Sequence, residues 1–175
     1  MRHSKAYIQT HDLDWFGRIN NQLLIHVATN GSPLPERVND IERLHENHIS
    51  VMQMPEVCRA EDLLINERAI VRLFENQRRL LREYREVDIS GNDYSLFFMT
   101  YLRSFIPIAM RGIITFDCTL VGEEDKAEYH VVCRPRNLNK LAHEFPEGIE
   151  SFEIENIDLL FSPEVQQLRL LEMIH

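Results

Sequence analysis

The sequence predicts an α+β fold, with an antiparallel sheet of four to five strands packed by three to four helices, one of them central and buried. Three observations carry this prediction. Strand-forming residues flank a pair of asparagines, with Trp15, Phe16 and Ile19 on one side and Leu24, Ile25 and Val27 on the other. The segment from Asn66 to Val87 repeats its apolar residues at a helical period, and the run YSLFFMTYLRSFIPIAMRG is apolar nearly all the way round.

The first hairpin follows from Asn20-Asn21, because asparagine tolerates the left-handed backbone that a two-residue hairpin turn requires. Such a turn would set Asp12 opposite Thr29, Asp14 opposite Val27 and Trp15 opposite His26. Ser32-Pro33-Leu34-Pro35 then breaks the chain, and a helix is predicted from Glu36 to Met52, closed by Pro55. His45 and His48 lie one turn apart on it; without a third ligand they read as one partly exposed residue and one packed residue.

From Asn66 to Val87, residues Ile70, Leu73, Phe74, Leu80, Leu81, Tyr84 and Val87 trace one apolar face, while charges of both signs share the other. Seven arginines between Arg59 and Arg85 are interleaved with acids, which favours a solvated helix face over a phosphate-binding one. The run starting at Tyr94 is predicted as the central core helix, bent at Pro107 and ended by Gly112. A second hairpin is predicted from Ile113–Val121 and Ala127–Arg134, stopped by Pro135, then a late strand from Phe152 to Leu160 and a short helix beginning at Ser162.

Length and composition fit one domain over residues 1–175, with 44 % hydrophobic and 27 % charged residues. Three cysteines without CxxC spacing predict neither a disulfide framework nor a zinc knuckle, so a reducing cytoplasm is the expected location. No apolar run reaches the length of a membrane span. The net charge is −9, and residues 123–164 hold four basic residues against eleven acidic ones. That balance makes nucleic acid an unfavourable partner and leaves solubility or a basic protein partner. A homo-oligomer is expected from general frequency.

Two groups of residues bear chemistry. His11, Asp12, Asp14 and His26 on the first hairpin are the catalytic candidates, since paired carboxylates beside imidazoles can divide acid and base roles or hold a cation. The predicted register divides them, with Asp12, Asp14 and Thr29 on one face and His11, His26 and Asn30 on the other. Asp117 and His130 are the binding candidates, because a tight return through the acidic loop would bring them together.

The segment from Arg136 to His143 resembles the arginine, polar residue and later histidine of helical ribonucleases of the HEPN type. The resemblance implies an all-helical RNA-cleaving dimer; here those eight residues follow a strand and Pro135, and no such activity is drawn from them. No Gly-rich phosphate loop, GxSxG elbow or HExxH helix is present, so neither cofactor nor metal is predicted. The function expected is a binding or regulatory module acting through a protein surface. The alternative is a small metal-dependent hydrolase or phosphodiesterase using the first hairpin.

Overall fold

In the computed structural model the described residues are 7, 13–19, 22–29, 34, 41–85, 94–118, 129–144, 146–149 and 151–152, without the side chains of 41, 80–85, 151 and 152. The predicted C-terminal helix, most of the late strand, the acidic loop and the Asn20-Asn21 pair lie outside them. The described residues build a mixed sheet of six strands: β1 (Asp14–Ile19), β2 (Leu23–Ala28), β3 (Leu63–Ile65), β4 (Ile114–Cys118), β5 (Tyr129–Pro135) and the two-residue β6 (Ser151–Phe152). Their order is β3-β5-β4-β2-β1-β6.

Both predicted hairpins are antiparallel pairs, β1 with β2 and β4 with β5. The sheet as a whole is not antiparallel. β4 lies parallel to β2, and β6 lies parallel to β1. A parallel neighbour needs a long crossover, and residues 41–109 supply it with three α-helices: α1 (Ile41–Met52), α2 (Glu67–Arg85) and α3 (Tyr94–Ala109). β3 sits inside that crossover, three residues too short to leave a periodic signal.

α2 begins where the Asn66 side chain accepts a hydrogen bond from the Ala69 N–H at 3.2 Å, an N-cap that also ties the helix to the sheet by donating to the Val131 carbonyl at 3.0 Å. Its buried stripe is Ala69, Ile70, Leu73 and Phe74. α3 packs against β4 and β5 and buries Leu102, Phe105, Ile108 and Ala109, but it is not buried all round. Leu96 is 69 % exposed and Met99 66 %, which corrects the expectation of a central core helix. A helix lying on a sheet can bury only the stripe that faces it, whatever the composition of the other side.

The chain leaves α3 through Gly112, whose φ of +85° few other residues adopt. A Cβ there would come within 2.5 Å of the Lys140 carbonyl oxygen, so both the turn and the close approach of the 140–142 segment require glycine.

The two faces of the sheet differ. One carries Trp15, Ile25, Val27, Ile114, Phe116 and Tyr129, all fully buried in one cluster. The other faces α3 and carries Asp14, Phe16, His26, Ala28, Asp117 and His130, so nearly all the polar chemistry lies on the helical side.

Candidate functional site

The register of the first hairpin decides which groups meet. Asp14 pairs with Ala28, Trp15 with Val27, Phe16 with His26 and Ile19 with Leu23. Three residues, not two, separate the strand ends, and the Gln22 N–H closes the turn by donating to the Ile19 carbonyl at 2.8 Å. The expected pairings of Asp14 with Val27 and Trp15 with His26 are therefore displaced by one residue. Side chains alternate along a strand, so a shift of one moves a whole set to the opposite face. Asp14 and His26 now share a face, while Thr29 lies on the other and accepts the Leu13 N–H at 3.2 Å. His11, Asp12 and Asn30 fall outside the described residues.

His26 Nε2 stands 3.4 Å from Asp14 Oδ2. The imidazole is fully buried, with its ring 5.1 Å from Phe16 and 5.7 Å from Phe105 between centroids; the expected contact with Trp15 is replaced by these two. Nδ1 has no hydrogen-bond partner among the described residues, and Nε2 has only this long ion-pair contact. Burial alone would raise the Asp14 carboxyl. The contact with His26 and the charges of His26 and His48 outweigh it, and the carboxyl lies below its ordinary value.

The second pair forms across the β4–β5 ladder. A bulge between Thr115 and Phe116 shifts the register so that Asp117 stands directly opposite His130, as the sequence suggested. The Thr115 hydroxyl fills the irregularity, donating to the Cys133 carbonyl at 3.0 Å and accepting the Cys133 N–H at 3.1 Å. From α3, the Tyr101 hydroxyl donates to Asp117 Oδ2 at 2.6 Å, a charge-assisted length, and lies 3.4 Å from His130 Nε2. Its single proton goes to the carboxylate, and its oxygen faces the His130 ring nitrogen in the longer contact. Burial, which disfavours the imidazolium, lowers His130 to about 4. Asp117 Oδ1 accepts the Cys118 N–H at 2.8 Å.

Ala28 connects the two pairs, since it is the register partner of Asp14 on one side and Asp117 on the other. Two strand spacings put the Cα atoms of the two aspartates roughly 10 Å apart. Between this stretch of sheet and the helices lies a cavity of about 220 Å³. Its wall includes Asp14, His26, Ala28, Leu73, Phe105 and Asp117, and its rim is formed by Gln77, Thr100 and Ser104, all exposed. Among the described residues no lysine or arginine lines it.

The α3 residues of this site escape a reading by apolar periodicity. Thr100, Tyr101 and Ser104 are among the polar interruptions of a largely apolar run, and Thr100 and Ser104 lie four apart on one helix face. Those interruptions are the signal that could have found them.

Among the described residues no three of His, Cys, Asp and Glu are grouped to hold a metal ion. His45 is exposed and His48 half-buried with its ring 6.1 Å from Phe16, as the packed reading of that pair expected. Cys118 and Cys133 are buried, and burial pushes the Cys133 thiol up to about 12. Residues 136–143 hold only the short 3-10 turn Leu138–Lys140, not the helix of the ribonucleases they resemble. Among the described residues no helix is long and apolar enough to cross a membrane.

Comparisons with family models, with curated proteins and with solved structures give no match.

Proposed function

We propose that the protein is a binding module that takes a small polar ligand into the cavity between the sheet and α3. The observation that carries this reading is the cavity itself: about 220 Å³, open at a hydroxyl and amide rim, with a carboxylate on each side of Ala28 and a fully buried imidazole in its wall. Buried polar groups are ordinarily hydrogen-bonded, so the two nitrogens of His26 mark a place where a partner is favoured. The volume falls below the roughly 300–1,000 Å³ of drug-sized sites, which suits a ligand of few heavy atoms. A response to occupancy would pass to α3, which carries Tyr101 and Phe105 on the cavity side and Leu96 and Met99 on its exposed side.

The test is ligand-observed and protein-observed NMR with a library of small polar compounds. Shifts should cluster at His26, Thr100, Tyr101 and Ser104. They should vanish in Ser104→Trp, a substitution at an exposed rim position that blocks the mouth without disturbing the core. Shifts scattered elsewhere, or unchanged by Ser104→Trp, overturn the reading.

The hydrolase alternative retains one supporting contact, Asp14 with His26. It predicts a melting rise with Mg²⁺, Mn²⁺ or Zn²⁺ that an Asp12→Asn, Asp14→Asn double variant abolishes.

A further inference from the structure

The charge of the cavity wall narrows the ligand class, and the inference rests on the cavity being a ligand site. Asp14 and Asp117 both line it, and among the described residues the lining includes neither lysine nor arginine, His26 being its one basic side chain. The Asp117 carboxylate accepts from Tyr101 Oη at 2.6 Å and from the Cys118 N–H at 2.8 Å, the acceptor behaviour of an ionised group. Asp14 sits nearer the surface, with 35 % of its side chain exposed, beside an imidazole whose other nitrogen has no hydrogen-bond partner among the described residues. Anions entering such a space would meet like charge at short range in a medium far less screening than water. Phosphates and carboxylates are therefore disfavoured.

A cation meets the opposite conditions. Ser104 and Thr100 at the rim offer hydroxyl oxygens, the Asp14 carboxylate offers an acceptor, and the Phe105 ring and the Leu73 side chain offer apolar contact to a short stem. An ammonium group has three donors and no acceptor, which matches a wall rich in oxygen acceptors. We propose that the cavity binds a small primary amine in its protonated form, with the ammonium group at Asp14 and the alkyl stem against Phe105 and Leu73.

The experiment compares three probes of one size at pH 7.5, n-butylamine, n-butanol and butyrate, by titration calorimetry and by chemical shifts at Ser104 and Tyr101. Butylamine should bind saturably, n-butanol at least tenfold more weakly, and butyrate not at all. Asp14→Asn should weaken butylamine about tenfold and leave n-butanol unchanged, while Asp14→Glu, which keeps the charge, should restore most of the affinity. Circular dichroism and melting of each variant confirm that it is folded. Equal binding of butylamine and n-butanol at these residues, or tighter binding of butyrate, sinks the amine inference and leaves the cavity reading standing. Failure of all three probes to shift Ser104 or Tyr101, together with no hit from the wider polar library, sinks both.

Discussion

Two carboxylate–imidazole pairs occupy the same face of one sheet, and they are built to different ends. Asp117 and His130 are almost wholly buried, and the Tyr101 hydroxyl joins them. Asp14 and His26 meet at 3.4 Å with the carboxylate partly in solvent and the imidazole short of hydrogen-bond partners among the described residues. The same two residue types thus make a closed network in one place and an unfinished one in the other. What separates them is the helix overhead, which presents a tyrosine to the first pair and a phenylalanine, Phe105, to the second. Completeness of the hydrogen-bond network, rather than residue identity, distinguishes a structural pair from one left able to engage something else.

The contrast breaks most readily by removing one carboxylate at a time. Asp117→Ala removes the buried carboxylate that accepts from the Tyr101 hydroxyl and the Cys118 N–H and should cost about 3 kcal/mol in urea unfolding. Asp14→Ala, at a partly exposed site, should cost under about 1 kcal/mol. Equal losses would show that the two pairs do the same structural task.

A second difference is in pH dependence. His130 has its folded value lowered to about 4 from 6.5, so between those limits the unfolded chain binds a proton that the folded chain does not. Stability is then fully present above about pH 6.5 and falls as pH drops toward 4, by on the order of 3 kcal/mol. His130→Gln should flatten that segment of the stability curve. The Asp14 carboxyl is also lowered, so its contribution is present above the ordinary carboxylate value and disappears only at more acidic pH. Urea midpoints measured across pH 3 to 8 for the parent, His130→Gln and Asp14→Ala separate the two windows.

Tyr101→Phe sharpens the comparison further. Deleting the hydroxyl leaves the ring against Phe105 and Phe97 but removes the donor to Asp117, and it should cost about 1–2 kcal/mol. The same variant should leave the Asp14–His26 region unchanged in NMR shifts, because that pair does not depend on the hydroxyl. The smallest expected effect is that of Asp14→Asn on stability, within about 0.5 kcal/mol, as for substitutions at partly exposed positions. Its consequence should appear in amine binding instead.

Much of this arrangement was legible in the residues. The hairpin around the asparagine pair, the amphipathic α2, the turn at Gly112 after α3 and the facing of Asp117 by His130 all follow from local patterns of alternation, period and turn chemistry. The meeting of Asp14 with His26 was not legible. It depends on whether two or three residues make the turn, and strand formers on both flanks are compatible with either count. The exposure of Leu96 and Met99 was hidden for a related reason, because an apolar run does not record which of its sides faces the sheet.

Local preferences therefore determined where strands and helices form and which groups carry chemistry, since these depend on a few neighbouring side chains and on backbone sterics. Tertiary structure alone decided that β4 pairs in parallel with β2, which sets Asp117 beside Ala28 and makes one cavity out of two hairpins. That pairing joins residues about ninety positions apart across a three-helix crossover. It is selected by the burial of both sheet faces at once, a property of the whole chain that no short window contains.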